Sequence, residues 1–225
     1  CTPAQVANDY IRKLRAAGAR IIDLSQATSL SPKIPLLTAR NNDLHSDTQI
    51  YAVRLPVVTS VQSLLADLHE ENPIKDIHLH CLYSVSPMGR KGLQELMQQT
   101  KDSLMNKPSP VEVFPKTIAF NLIPQVGYLN KLGISSEEEM IEGQIKKIFK
   151  NSMKVSVECA WIPCFSGLAV HMTTQFSNPV NLDFFRKHWM KNTFVNPHSL
   201  RHTEEICPTP MDVIGEDSAF VSRIR

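Results

Sequence analysis

The sequence predicts an α/β (α+β) chain, and three observations carry that expectation. Helical and strand periodicities alternate from end to end. Capping signals punctuate the helical stretches. Apolar residues make up 42% of the 225 positions and charged residues 20%, an ordinary globular balance able to bury a core. No apolar run approaches the ~20 residues of a membrane-spanning helix, so no membrane association is expected. Lys and Arg number 24 against 22 Asp and Glu, with no basic stripe, so no nucleic-acid groove is expected either.

The elements follow in order. Thr2-Pro3-Ala4-Gln5 reads as a helix entry, with Thr2 as N-cap, Pro3 at the first helical position and Gln5 closing a capping box. Val6, Tyr10, Ile11 and Leu14 make one apolar face, and Gly18 stops the helix. Arg20 to Leu24 reads as a short buried strand. Ser25 to Thr48 is polar, carries Pro32 and Pro35, and reads as a long loop. Ile50 to Leu55 is a strand leading to Pro56. Val61, Leu64, Leu65 and Leu68 then mark an amphipathic helix.

Asp76 to Ser86 alternates as a strand, with Ile77, Leu79, Cys81 and Tyr83 on one face and His78, His80 and Leu82 on the other. Leu93, Leu96, Met97 and Leu104 mark a helix, and Thr117 to Pro124 a strand. Ser136 and Glu139 form a second capping box, opening a helix that runs to about Lys150. Val155 to Met172 fits two strands around Pro163. Asn181 to Lys191 is helical, and Asp212 to Arg225 reads as a hairpin over Gly215-Glu216-Asp217.

Glycine is scarce at 8, against roughly 16 expected from average usage, and no G-x-G-x-x-G or phosphate loop can be written with them. Five cysteines without a C-x-x-C pattern read as reduced thiols of a cytoplasmic protein. His78-x-His80-Cys81 offers metal-ligand residue types, but Cys81 faces away from both imidazoles, so a half-exposed strand is the expected role. Cys159 and Cys164 read as structural thiols. Lys146, Lys147, Lys150 and Lys154 read as a solvated helix end.

Three segments resemble the aspartate-semialdehyde dehydrogenase family. Val6 to Asp23 with Leu24-Ser25-Gln26-Ala27 is similar to the family's small-residue helix and following strand. Ile118-Ala119-Phe120-Asn121-Leu122-Ile123-Pro124-Gln125 resembles its A-F-N-x-I-P-Q. Pro208-Thr209-Pro210-Met211-Asp212-Val213-Ile214-Gly215, with Phe220-Val221 and Arg223-Ile224-Arg225, resembles its P-T-P-x-D-V-x-G and F-V-x-R-I-R. The resemblance runs from residue 1 to 225. It implies the tail of a Rossmann-type NAD(P)-binding domain over 1–56 and a catalytic and dimerisation domain over 57–215. The latter would resemble that of glyceraldehyde-phosphate dehydrogenases, with a mixed sheet flanked by helices. A return segment to the cofactor domain would begin over 216–225. The chain would start inside the nucleotide-binding half and end before the family's final helix.

In that family a cysteine thiolate attacks, a glutamine orients, a histidine moves the proton and an arginine holds the substrate carboxylate, with NADP as cofactor. By the same resemblance the thiol position of P-N-C-S-T falls on Val58, within Pro56-Val57-Val58-Thr59-Ser60. The glutamine falls on Tyr83, the arginine on Trp161 and the histidine on Leu168. The two phosphate-binding cations fall on Ser29 and on Met140 or Ile141, and the cofactor-turn glycines on Pro3 and Ala4. Loss of nucleophile, proton carrier and anion anchors together resembles the cysteine-lacking bacterial Usg-type homologues. The first reading is a silent homologue, a homodimer pairing through an exposed apolar sheet face. The second is an oxidoreductase with a relocated thiol, Cys81 beside His80, or Cys164. The third is a nucleotide- or small-molecule-binding module that keeps Ser86 and Gly89 at cofactor-contacting positions. No cofactor is expected beyond the NADP that the resemblance implies, no metal is expected, and the sequence identifies no small-molecule ligand.

Overall fold

A computed structural model describes residues 4–37, 48–196 and 207–225. Helix α1 (Ala4–Ala16) leads to β1 (Ile21–Asp23), with β2 (Leu36–Leu37) and β3 (Ile50–Val53) following. These strands form a small parallel sheet in the order β1-β3-β2. Helix α2 (Pro56–Glu71) connects it to a second sheet. There β4 (Ile74–Tyr83) is the centre, β5 (Lys154–Trp161) runs parallel to it and β6 (Leu168–Phe176) antiparallel. Helices α3 (Gly89–Leu104) and α4 (Ser136–Ile148) lie between β4 and β5 in sequence, and α5 (Leu182–Met190) follows β6. The expected mixed sheet with flanking helices is present. No helix among the described residues is long and apolar enough to cross a membrane.

The core explains this arrangement. The inward face of β4 (Ile74, Ile77, Leu79, Cys81, Tyr83) meets Val57, Val58, Val61, Leu64, Leu65 and Leu68 of α2, Ile141 and Ile145 of α4, and Phe185 and Trp189 of α5 in one apolar cluster. The alternation read from residues 77–83 is the burial pattern of the strand. The opposite face is mostly polar. His78 pairs across to Ser156 and Thr173, and His80 to Glu158 and His171. The outer face expected for two-fold pairing is thus mixed: polar along the rows of His78 and His80, and apolar only along the row Leu82, Ala160 and Ala169. Exposed apolar groups gather instead along the 120–132 stretch at Phe120, Leu122, Tyr128, Leu129 and Leu132.

Several local expectations are corrected. The 117–124 stretch does not extend a sheet: only Ile123 bridges to Trp161. Phe120 has φ 56°, and the N–H groups of Ile118 and Ala119 are taken by the Gln99 side chain, so no ladder can start. The capping box of α4 is Ser135 with Glu138, one residue earlier than expected, because Ser136 Oγ instead accepts the Tyr128 N–H at 3.1 Å. The 212–225 segment is not a hairpin. Asp212 closes its own turn with Thr209, and Ala219 pairs with Val195. In α1, Ala7 is the buried residue, while Val6, Tyr10 and Leu14 are exposed; the expected N-cap, Thr2, lies outside the described residues. Strand β2 lies inside the predicted loop after Ser25, part of which is likewise outside the described residues. Lys147 is no solvated helix end: its ammonium donates to the carbonyls of Ser29, Ser31 and Ile34 at 2.6–2.8 Å.

Candidate functional site

Pro56 starts α2 because its fixed φ suits the first helical position and its missing N–H costs nothing there. Val58 sits in that first turn with no exposed surface. The Leu55 N–H just before it is taken by Gln144 Oε1 of α4 at 3.0 Å. Gln144 in turn donates to Gln26 Oε1 at 2.6 Å, and Gln26 donates to the Val53 carbonyl. Three segments distant in sequence thus fix the helix start.

Sheet register assembles the other positions. Tyr83, the last residue of β4, is the partner of Trp161 on β5 and of Leu168 on β6. The three therefore form one row across the sheet. Trp161 meets Tyr83 edge-on at 5.8 Å between ring centroids and Phe114 at 5.3 Å. All three rings belong to the cluster that includes Val58, and Leu168 packs against it. Gly167, beside the row, has φ 97°, and a side chain there would meet the Pro210 backbone carbonyl at 2.6 Å. The Pro208–Pro210 segment therefore closes directly against the β5–β6 turn.

Tyr83 Oη donates to Glu137 Oε1 at 2.7 Å. Burial, then the neighbouring Glu137 carboxylate, pushes the phenol well above its usual range. Burial likewise raises the Glu137 carboxyl, with the Tyr83 hydrogen bond opposing. Cys159 is the register partner of Cys81, and both are buried. A hydrogen bond with Cys81, then burial, holds the Cys159 thiol far above the usual thiol range.

Ser29 and Met140, two of the positions expected at the family's phosphate anchors, also meet. Ser29 is fully buried and its hydroxyl lies 3.1 Å from Met140 Sδ. Gly143, one turn further along α4, leaves room for Leu30, whose Cδ2 lies 2.7 Å from where a Cβ would stand. The buried arginine closest in sequence to α2 is Arg54; it donates to Gln62, and burial lowers its pKa.

Residues 65–225 match the family model described as semialdehyde dehydrogenase, dimerisation domain. The chain is 30% identical over 233 residues to the aspartate-semialdehyde dehydrogenase of Rickettsia conorii, covering 100% of this chain and 68% of that protein. The chain belongs to the aspartate-semialdehyde dehydrogenase family. It is also 29% identical to a USG-1 protein homolog of Pseudomonas aeruginosa, over 99% of this chain and 66% of that one. The solved structure of a probable aspartate-semialdehyde dehydrogenase from Pseudomonas aeruginosa superimposes with a TM-score of 0.88 at 27% identity, over 99% of this chain and 67% of that one. The chain thus spans about two thirds of the length of these relatives.

The remaining candidates in this dehydrogenase homologue are scattered. Cys81 has no exposed surface and lies on the inner face of β4. His80 lies on the outer face, 2.5 Å from Glu158. The strand alternation thus separates this thiol from this imidazole. Cys164 is part-buried in the β5–β6 turn, where its carbonyl accepts the Val85 N–H. Among the described residues no group of three metal-ligating side chains forms. Ser86 contacts Ser84 Oγ at 3.1 Å, and Gly89, at φ 65°, opens α3 with no side-chain cap and empty space above it. Pro3 lies outside the described residues, and Ala4 begins α1.

The sequence signals missed Glu137. Its only mark is the run Glu137-Glu138-Glu139, which reads as favourable charge at a helix N-terminus. Phe114 and Lys147 carried no signal beyond an isolated aromatic and a basic stretch.

Proposed function

We propose that this chain is a dehydrogenase-family protein whose chemistry is silent and which acts by binding, as a homodimer. The row Tyr83–Trp161–Leu168, packed in one cluster with Val58, is the observation that carries this reading. Valine has no lone pair with which to attack a carbonyl. Leucine cannot carry a proton, a step worth about 10²–10⁴-fold. An indole cannot make the bidentate clamp a guanidinium makes on a carboxylate. The raised Tyr83 phenol keeps its proton at neutral pH and spends it on Glu137. At the phosphate positions Ser29 and Met140 supply no cation, and Lys147 is occupied by three carbonyls.

The dimerisation-domain match supports the dimer, and the exposed apolar stretch 120–132 offers surface for it. Domain limits of 1–56, 57–215 and 216–225 belong to this reading, with the β1-β3-β2 sheet inside the first and the β5-β4-β6 sheet inside the second. The implied NADP would meet Ser86 and Gly89 at the uncapped start of α3. Those two positions offer no charged partner of their own for its phosphates. They do not by themselves build a site for it.

The test is an assay of the full-length protein with aspartate semialdehyde, phosphate and NADP, beside sedimentation of the same sample. The expected result is a dimer with no NADP reduction. Turnover at a rate typical of an enzyme would overturn the silent reading.

A further inference from the structure

A cleft of 390 Å³ opens away from the row. It lies between α2 and the turn that follows α5. None of the positions matched to the dehydrogenase machinery lines it. Its volume falls within the ~300–1,000 Å³ of small-molecule sites.

The walls are tied together. Trp189 Nε1 donates to the Leu64 carbonyl at 2.9 Å, and Asn192 Nδ2 donates to the Ser63 carbonyl at 2.7 Å. These two bonds clamp α5 to α2. Ala219 donates to the Phe194 carbonyl at 2.7 Å, and Asn196 to the Ala219 carbonyl at 2.8 Å, which holds the far wall. The cleft is therefore formed before any ligand arrives.

The lining mixes charges of both signs. Asp67 of α2 faces His188 of α5 at 3.4 Å, both part-buried. Lys191, at the C-cap of α5, supplies an ammonium, and Phe194 supplies an apolar ring. A purely anionic ligand would have to approach the Asp67 carboxylate. A purely cationic one would have to approach Lys191. A molecule with an ammonium at one end and a carboxylate at the other satisfies both, placing its ammonium on Asp67 and its carboxylate on Lys191. Its remaining part would lie on the Phe194 ring.

We propose that this cleft binds a free α-amino acid as its zwitterion. This site is independent of whether the row is catalytically silent. The test is a thermal-shift and calorimetric survey of the full-length protein with the free L-amino acids at millimolar concentration. The same survey is run on K191M and D67N, and on N-acetylated and C-amidated forms of any amino acid that binds. At least one free amino acid binds, K191M and D67N each weaken it by about tenfold or more, and capping either end abolishes it. Lys191 is exposed, so K191M keeps the fold even where D67N does not. Binding of none of them, binding unchanged in K191M, or equal binding of the capped forms would overturn the proposal.

Discussion

Tyr83 and Glu137 are 54 positions apart in sequence, yet the tyrosine hydroxyl donates to the glutamate at 2.7 Å and ties the end of β4 to the first turn of α4. A buried phenol and a carboxyl raised by burial stabilise each other here. Tyr83, expected from the family resemblance at the place of an orienting glutamine, acts here as a structural anchor.

Removing that anchor has a calculable cost. Tyr83→Phe leaves Glu137 without its donor, and a lost hydrogen bond to an ionisable group costs about 1–3 kcal/mol. Urea unfolding at neutral pH measures it. The pH dependence has a definite sign. Because the folded-state pKa of Glu137 is raised, the folded chain holds this proton more tightly than the unfolded chain. Its contribution is full below the ordinary value of 4.5 and is lost as pH rises through the higher folded value. The stability of the wild type relative to Glu137→Gln therefore falls over that interval. A flat difference curve would contradict the raised carboxyl.

His69 behaves in the opposite sense. Its Nδ1 accepts the Ile74 N–H at 3.0 Å, while Nε2 meets Ser152 Oγ at 3.0 Å. Burial lowers its pKa, with Glu70 opposing. A proton on Nδ1 would expel the Ile74 N–H at the start of β4. The folded state binds this proton less readily than the unfolded state. Its contribution is thus complete above the ordinary value of 6.5 and is lost as pH falls through the lower folded value. Stability curves of wild type and His69→Gln, taken across this range, converge toward the acid side.

The thiols differ in access. Cys207 is exposed and Cys164 part-buried, whereas Cys81 and Cys159 are buried. Brief alkylation of the native protein followed by peptide mass mapping finds Cys207 modified and Cys81 and Cys159 intact. Both buried thiols react once the chain is unfolded. Rapid labelling of Cys81 in the native state would restore it as a candidate nucleophile.

Gln99 is a buried polar hub on α3. Its Oε1 accepts the N–H groups of Ile118 and Ala119, and its Nε2 donates to Glu95 and to the Pro110 carbonyl. Gln99→Leu leaves the buried N–H groups of Ile118 and Ala119 without partners. The two buried N–H groups, at about 1–3 kcal/mol each, bring the loss to about 2–6 kcal/mol. The exposed neighbour Gln94→Leu serves as control and changes stability by less than about 0.5 kcal/mol. Chemical denaturation of the two variants separates them.

What could be read from the linear chain was what short-range physics controls. The alternation along Ile77–Tyr83 reports its own buried face, because successive strand side chains point to opposite sides. Pro56 and the spacing of Val61, Leu64, Leu65 and Leu68 report a helix, because its face recurs every few residues. The family motifs placed Val58, Tyr83, Trp161 and Leu168 as single substitutions. Only the folded chain put Tyr83, Trp161 and Leu168 in one row, since strand register depends on how three distant segments bury their faces together. Only it gave Glu137 to Tyr83, Ser29 to Met140 and the 29–34 carbonyls to Lys147. A buried polar group takes whatever partner the closed core brings within reach, and no local pattern of residues encodes that choice.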